Sequence, residues 1–319
     1  MKFIRYEVTG RSRTGILQGE SVVDVTELFE QMVVDEAVLQ VHGIEPATGG
    51  PMRWAQAGIP AREQMAVRLG QYLASGQGEL LPLSGLRLLA PVARPGKIVG
   101  VGRNYADHAK ETGVDPFEKP RIIFKMPSSV TASGASVTKP PAIQKFDFEG
   151  ELAVVIGSFV RNVTAEQALS HVAGYTLLND LSAREFQFDI SPPQTTFAKS
   201  MDGFCPLGPV LVTADEIPDP QALQLRTVVN GQVMQEATTA AVTSPSGWQT
   251  AVSPELGASH WTRLQVAANL SAMALARMQE HPLDPSSSIA LVATSRDLQD
   301  AWEALTHPDV YYVSVPAEL

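Results

Sequence analysis

Two carboxylates stand at the head of a strongly apolar segment in the middle of the chain. Glu149 and Glu151 flank Gly150, and an apolar run at residues 152–156 follows directly. In a β-strand, residues two apart point to the same face, so the two carboxylates are expected to converge on one point. Like charges held that close repel each other unless one is protonated or a cation lies between them. Because all-oxygen ligands suit hard ions, the cation would be Mg²⁺, Mn²⁺ or Ca²⁺ rather than zinc.

The alternative interpretation of Glu149 and Glu151 is a solvated edge strand. A third carboxylate favours the metal site over this alternative. Asp180 ends a second apolar segment at residues 173–180. Side chains that follow a rigid, buried element are often the ones that carry function. Three carboxylates in this pattern therefore predict a divalent metal site built from the ends of two strands.

Composition excludes several classes of protein. Of the 319 residues, 44% are apolar and 18% are charged, and the net charge of −10 comes without clustered Lys and Arg, so no nucleic-acid partner is expected. The sequence contains no apolar stretch of about 18 residues, so no membrane span is expected. Cys205 is the single cysteine, so no internal disulfide is possible, which fits a reducing cytoplasm. Its apolar neighbours predict that Cys205 is a small buried hydrophobic residue. Gly100 and Gly102 follow a strand, but the third glycine of a dinucleotide-binding turn is missing.

The chain divides into two predicted parts of unequal size. Residues 1–90 read as a small N-terminal module of strands and helices, and residues 91–319 read as a larger domain rich in strands. Asn230-Gly231 is a strong β-hairpin signal within the larger part. The tail changes character, with a helical period at residues 259–281 and a strand at residues 289–293.

His108 and Glu111 form a second candidate group. They are three residues apart in a segment that predicts a short helix, so they share one helical face. A carboxylate beside an imidazole raises its basicity and fixes its tautomer, as a general base acting on water near neutral pH requires. An ordinary pair on a surface helix is the alternative interpretation.

Two cationic residues complete the candidate chemistry. Lys199 lies among apolar and small residues, and a partly desolvated ammonium stabilises a developing enolate or a carboxylate. Arg184 follows Asp180 closely and offers a fork of donors suited to a substrate carboxylate. A surface lysine and a structural arginine pair are the alternatives.

Several of these segments, in this order, resemble those of the fumarylacetoacetate hydrolase family. The resemblance covers roughly residues 96–235, and six motifs together make it specific. The matching segments are VGVGRNYADH at 99–108, PRIIFK at 120–125, FDFEGELAVVIG at 146–157, GYTLLNDLSAR at 174–184, KSMD at 199–202 and PLGP at 206–209.

The resemblance implies an α+β fold, with a mixed β-roll or β-sandwich catalytic core behind the small N-terminal module, and a homodimer. It implies Mg²⁺ or Mn²⁺ held by Glu149, Glu151 and Asp180. It also implies a catalytic His108–Glu111 dyad on a lid helix, with Lys199 at the reacting centre. The substrate-binding residues that it implies are Tyr105, Lys125, Arg184, Gln187 and Thr294.

The chain departs from the family pattern from residue 237 onward. The family's closing strand and glycine-rich turn correspond most nearly to residues 283–295, where serines replace the glycine and aspartate. Thr294 stands where the family has a substrate-binding threonine, and a predicted helix at residues 296–305 replaces the turn.

The function expected from the sequence is therefore metal-dependent hydrolysis of a carbon–carbon bond in a 2-oxo acid of the acylpyruvate type. In this hypothesis His108, oriented by Glu111, activates a water that attacks the distal carbonyl group, and Lys199 stabilises the pyruvate-like enolate. Decarboxylation, isomerisation or hydration of a related, oxaloacetate-like acid is one alternative. A non-catalytic metal-binding protein is the other, motivated by the altered tail.

Overall fold

The computed structural model describes residues 1–31, 50–57, 59–102, 121–158, 163, 165–241 and 289–293. The strands are β1 (Lys2–Val8), β2 (Arg11–Gln18), β3 (Ser21–Asp24), β4 (Leu80–Pro82), β5 (Arg87–Leu89), β6 (Ile98–Gly102), β7 (Arg121–Lys125), β8 (Val130–Ala132), β9 (Phe146–Asp147), β10 (Gly150–Ile156), β11 (Val172–Asn179), β12 (Ser182–Ala183), β13 (Cys205–Thr213), β14 (Gln224–Val229), β15 (Gln232–Thr238) and β16 (Ile289–Ala293). The helices are α1 (Thr26–Gln31), α2 (Pro51–Gln56), α3 (Ile59–Ala74), α4 (Ala165–Ala168), α5 (Arg184–Phe188) and α6 (Thr195–Ala198).

A large mixed sheet organises the described part of the chain. Nine strands belong to it, in the order β10-β11-β13-β1-β2-β3-β4, with β5 paired to β1 and β8 paired to β13. Most neighbours are antiparallel, whereas β8 runs parallel to β13. The sheet joins strands from the N-terminal 90 residues to strands of the larger part, and the division at residue 90 stays a prediction. The mixture of this sheet with helices confirms the predicted α+β class.

Alternate residues of β1 bury their side chains on opposite faces of this sheet, as the two-residue period of a strand requires. Phe3 packs against Phe29 of α1 and Trp54 of α2, with ring centroids 5.7 and 5.2 Å away. Ile4 faces the other way and belongs to a cluster that includes Leu225 of β14. Helices α1–α3 therefore cover one face, and the β14–β15 hairpin lies on the other.

A second, three-stranded sheet has the order β15-β14-β16. The turn between β14 and β15 is Asn230-Gly231, and both residues have positive φ (50° and 78°), which matches the predicted two-residue hairpin. Strand β16 comes from the tail and pairs with β14 from Leu225↔Ala293 to Val229↔Ile289. The predicted tail helices at 259–281 and 296–305 lie outside the described residues.

Arg62 connects the helical layer to the end of β10. Its guanidinium donates to the carbonyl oxygen of Ala55 at 3.0 Å and to that of Gly157, and it lies 5.7 Å from the Trp54 ring. Burial lowers the pKa of Arg62 from its ordinary value. The contact fixes the register of α3 against the strand that begins at the candidate metal site.

Within the described part of the chain, no helix combines the length and apolar character needed to cross a membrane.

Candidate active site

The three predicted metal ligands meet where β10 begins and β11 ends. Glu149 directly precedes β10, Glu151 is its second residue, and Asp180 directly follows β11. Gly150 pairs with Asn179 in the antiparallel ladder, which places these two strand ends side by side. The backbone N–H of Asp180 donates to the carbonyl oxygen of Glu149 at 2.8 Å. One ligand oxygen from each of the three carboxylates lies within 4.8 Å of the others, and all three side chains are buried.

Lys199 is buried completely beside two of these carboxylates. It follows α6 directly, and its Nζ donates to Glu149 Oε2 at 2.7 Å, Asp180 Oδ2 at 2.8 Å and Ser182 Oγ at 2.8 Å. Three acceptors match the three donors of an ammonium group. The surface-lysine interpretation is therefore wrong, because Lys199 is part of the carboxylate cluster.

Lys125 approaches the same carboxylates from the end of β7. Its Nζ donates to Asp180 Oδ1 at 2.6 Å and to the carbonyl oxygens of Leu181, at 3.4 Å, and Lys199. Both oxygens of Asp180 are thus engaged by lysine ammonium groups. The structure places Lys125 in the site, while its predicted contact with substrate stays a prediction.

Arg184, the first residue of α5, lies on the other side of Glu149. Its Nη2 is 2.5 Å from Glu149 Oε1, and its Nη1 donates to Gln187 Oε1 at 2.8 Å, one helical turn later. Its Nε donates to Asp147 Oδ2 at 2.6 Å. The guanidinium that was predicted to bind substrate therefore contacts three protein side chains, and its substrate role stays a prediction.

Asp147 is a site residue that sequence reasoning missed. It is buried, its Oδ2 contacts both Nε and Nη2 of Arg184, and its Oδ1 accepts the backbone N–H of Phe148 at 2.9 Å. The signal was present in the sequence, because Asp147 precedes Glu149 by the same two-residue step that separates Glu149 from Glu151. Asp147 holds Arg184, and Arg184 in turn holds Glu149.

The buried cluster contains one more acidic group than basic groups. Its members are Asp147, Glu149, Glu151, Asp180, Lys125, Arg184 and Lys199. Burial and the nearby charges of Glu149 and Asp180 raise the pKa of Glu151 well above its usual range. Burial alone would also raise the pKa of Asp180, but the ammonium groups of Lys125 and Lys199 outweigh it and lower that pKa. The cluster therefore disfavours the ionised form of Glu151.

This donor set fits a hard divalent cation. Its ligand atoms are all carboxylate oxygens, which Mg²⁺ and Mn²⁺ prefer, and they converge from two adjacent strand ends. A cation beside Glu151 would also favour its ionised form, which burial and its neighbours oppose. The residues present could hold the predicted metal, and they do not distinguish Mg²⁺ from Mn²⁺.

The structure does not describe four of the predicted site residues. His108, Glu111, Tyr105 and Thr294 lie outside the described residues, and their roles stay predictions. Thr294 directly follows β16, so its neighbour Ala293 is tied to β14 through the pair Leu225↔Ala293. Gln187 is buried and contacts Arg184, as described above.

Comparison with known proteins gives a family match over the same segments. The family model described as "Fumarylacetoacetate (FAA) hydrolase C-terminal" matches residues 97–251. The human protein "Oxaloacetate tautomerase FAHD2A, mitochondrial" is 39% identical over 210 residues, which are 62% of this chain and 66%, just under two thirds, of that protein. A Burkholderia ambifaria protein that carries a hydrolase name is 34% identical over 244 residues, which are 75% of this chain and 76% of its own. The name of the human relative assigns that protein to mitochondria. The cytoplasmic location expected for this chain stays a prediction.

Solved structures show the same fold. The fumarylacetoacetate hydrolase of Exiguobacterium antarcticum superposes with a TM-score of 0.68 at 27% identity, over 100% of both chains. The maleylpyruvate hydrolase of Sphingobium sp. SYK-6, solved with manganese(II) and pyruvate, gives a TM-score of 0.64 at 22% identity, over 92% of this chain and 95% of that one. With the motif order, the family model, the relatives and the fold in agreement, this chain belongs to the fumarylacetoacetate hydrolase family.

Proposed function

We propose that this chain is a divalent-metal-dependent enzyme that acts on a 2-oxo acid through its enol or enolate. One observation carries the proposal: three buried carboxylates converge on one point and are flanked by two buried ammonium groups. The buried cluster has four acidic and three basic side chains, so a bound cation would compensate the fourth acidic group.

Glu149, Glu151 and Asp180 are the residues that would hold Mg²⁺ or Mn²⁺. When bound, the ion would supply Lewis-acid stabilisation of negative charge on the oxygens of the 2-oxo acid. The chemistry of the donor set supports this assignment. So does the fold shared with the Sphingobium enzyme, for which manganese(II) and pyruvate are named together.

Lys199 and Lys125 would stabilise the same negative charge from the protein side. Both are buried, and a buried ammonium acts on a nearby charge more strongly than one in water, because the surroundings screen it less. Their positions are fixed in advance by hydrogen bonds to Glu149, Asp180 and Ser182. Little reorganisation is therefore needed when an enolate forms.

Keto–enol interconversion of an oxaloacetate-like acid is the first candidate reaction. The reaction moves one proton between a carbon atom and the neighbouring oxygen, and His108, oriented by Glu111, would carry that proton. Relatives named oxaloacetate tautomerase, at 38–39% identity, favour this candidate over decarboxylation of the same acid.

Hydrolysis of an acylpyruvate-type acid is the second candidate, and the likeness to the Exiguobacterium hydrolase favours it. Here His108 would take a proton from water as the water attacks the distal carbonyl. The carbon–carbon bond would then break to give a carboxylic acid and a pyruvate-type enolate, which a proton would quench. Both reactions need the same enolate stabilisation by Lys199 and Lys125.

Kinetic assays on the chelator-treated protein, with and without Mn²⁺, test the proposal. We expect Mn²⁺-dependent decay of the enol absorbance of oxaloacetate, faster than in a protein-free control. Acylpyruvate cleavage, followed by loss of its own enol absorbance, separates the second candidate from the first. Bound Mn²⁺ without turnover of either substrate would contradict the proposal and favour the non-catalytic alternative. A homodimer acting on small molecules, without nucleic-acid or membrane partners, is part of the same proposal.

A further inference from the structure

Residues 149–151, which carry two of the proposed metal ligands, lie at the start of an edge strand. In the described residues, β10 is the terminal strand of the large sheet and pairs with β11 on one side. Gly150, between the two glutamates, is where the strand begins. Glycine has the widest choice of backbone conformations, so a glycine at this point does not by itself fix how Glu149 and Glu151 are oriented.

A side chain from the second sheet supplies the partner that a neighbouring strand would otherwise provide. The backbone N–H of Gly150 donates to Gln235 Oε1 at 3.1 Å, across 85 residues of sequence. The hydroxyl of Thr227 on β14 donates to the same oxygen at 2.6 Å. Gln235 on β15 and Thr227 are both buried, with 1% and 0% of their surfaces exposed.

The adjacent amide is held in the same way. The backbone N–H of Glu149 donates to Asn179 Oδ1 at 3.3 Å. Two successive amides of this segment are therefore bound by side-chain oxygens from different elements. The bond from Gln235 is the one that crosses between the two sheets.

We propose that Gln235 is a positioning residue for the metal site. By fixing the Gly150 amide, it sets the angle between Glu149 and Glu151, so that both carboxylates are aimed at one ion before that ion binds. Thr227 orients the Gln235 oxygen. This role rests on the proposed function, because it acts only through the metal that the carboxylates hold.

The same contact links the metal site to the divergent tail. Gln235 and Thr227 belong to the sheet that β16 completes, and Thr227 pairs directly with Leu291 of β16. A change in the tail that shifts β14 would move Thr227 and Gln235, and with them the Gly150 amide. The tail strand β16 is thereby linked to the geometry of the ion site through its backbone pairing with β14.

Mn²⁺ binding to four versions of this chain tests the role: wild type, Gln235→Leu, Thr227→Val and the control Gln232→Leu, which changes an exposed residue on the strand of Gln235. The dissociation constant is measured from the loss of the free Mn²⁺ resonance signal, and a thermal midpoint without metal is recorded in parallel. Loss of a hydrogen-bond partner outside the ligand shell typically weakens metal binding ~10- to 100-fold. We therefore expect Gln235→Leu to bind Mn²⁺ about tenfold more weakly than wild type. Thr227→Val is expected to lose Mn²⁺ affinity by a smaller factor, and the control is expected to bind Mn²⁺ as tightly as wild type.

Gln235→Glu, which keeps an oxygen in the same place, is expected to recover most of the affinity lost in Gln235→Leu. A residue with only a structural role would lower the thermal midpoint and leave the affinity of the folded protein unchanged. If Gln235→Leu does not fold, Thr227→Val decides by the same measurement. Wild-type affinity in the folded variants overturns the role of Gln235 alone, whereas a wild-type protein that binds no Mn²⁺ overturns the proposed function as well.

Discussion

Lys199 holds an ammonium group in the interior of the site. Its ammonium group is fully buried and bonded to two carboxylates and a hydroxyl group. Burial alone would lower the pKa of Lys199, but the charges of Asp180 and Glu149 raise it instead. The group therefore stays charged at neutral pH, and it neutralises carboxylates that would otherwise repel each other.

Replacing Lys199 by Met should therefore destabilise the metal-free protein strongly. Removing one partner of a buried ion pair typically costs ~3–5 kcal/mol, because the remaining charge has no compensation. Denaturant unfolding without metal measures the effect. The matched control is Lys145→Met, which breaks the exposed pair with Asp189 (2.6 Å) and should cost under ~1 kcal/mol. Equal stabilities of the two variants would contradict this account of Lys199.

Asp24 provides a test of pH dependence away from the active site. Burial would raise its pKa, but hydrogen bonds from Arg13 and Tyr6 outweigh burial and lower it. An acid with a lowered folded-state pKa contributes stability above its unfolded-state pKa of ~3.9, and this contribution is lost as the pH falls through the folded-state value. Urea unfolding of wild type and Asp24→Asn should thus show a stability difference that is largest at neutral pH and shrinks in acid. A constant difference would contradict the assignment.

At the scale of single elements, β10 depends on the small size of the residue that follows it. A Cβ atom on Gly157 would overlap the Arg62 guanidinium and lie 2.5 Å from Ala173 Cβ and 2.7 Å from the Ala55 carbonyl oxygen. The contact between α3 and the end of β10 therefore requires glycine at this position, whatever its backbone conformation.

Gly157→Ala is accordingly expected to lower stability by ~1–3 kcal/mol, the usual cost of overpacking a filled site. Gly70→Ala is the matched control, because Gly70 lies in α3 and a methyl group there would meet no atom of another element within 4 Å. Alanine is favoured over glycine in a helix by ~1 kcal/mol, so the control should be as stable as wild type or more so. A higher thermal midpoint for Gly157→Ala than for Gly70→Ala would contradict this account of the packing.

The strands that carry the site could be predicted from local patterns, but the long-range contacts that hold these strands in place could not. Apolar periodicity locates β10 and β11, and Asn230-Gly231 locates the hairpin, because these signals lie within a few residues of each other. The contact of Gln235 with Gly150 spans 85 residues, and no periodic signal records which buried glutamine meets which amide. Asp147 lay within the same two-residue pattern as the metal ligands and could have been found.

At the scale of the whole molecule, the N-terminal strands are part of the sheet that builds the site. Strand β1 lies between β13 and β2, with Phe3 opposite Leu211. Pairing across some 200 residues of sequence leaves no local signal, so the sequence could not show that β1 and β13 share a sheet. The site is thus supported by strands from both ends of the described chain, including β16 in the second sheet.

The central claim is that Glu149, Glu151 and Asp180 bind one divalent ion, and Glu151 offers the sharpest test. Its raised pKa means that its charge costs folding stability above its unfolded-state pKa. Glu151→Gln should therefore make the metal-free protein more stable at neutral pH, while it removes a ligand. A merely structural glutamate would not move stability and metal affinity in opposite directions.

Calorimetric titration of chelator-treated protein with Mn²⁺ at neutral pH measures this directly, with Glu236→Gln on the exposed side of β15 as the control. The account predicts one Mn²⁺ bound per wild-type and control chain, and binding at least ~10-fold weaker in Glu151→Gln. A wild-type chain that binds no Mn²⁺, or a Glu151→Gln chain that binds it as tightly as wild type, would contradict the account.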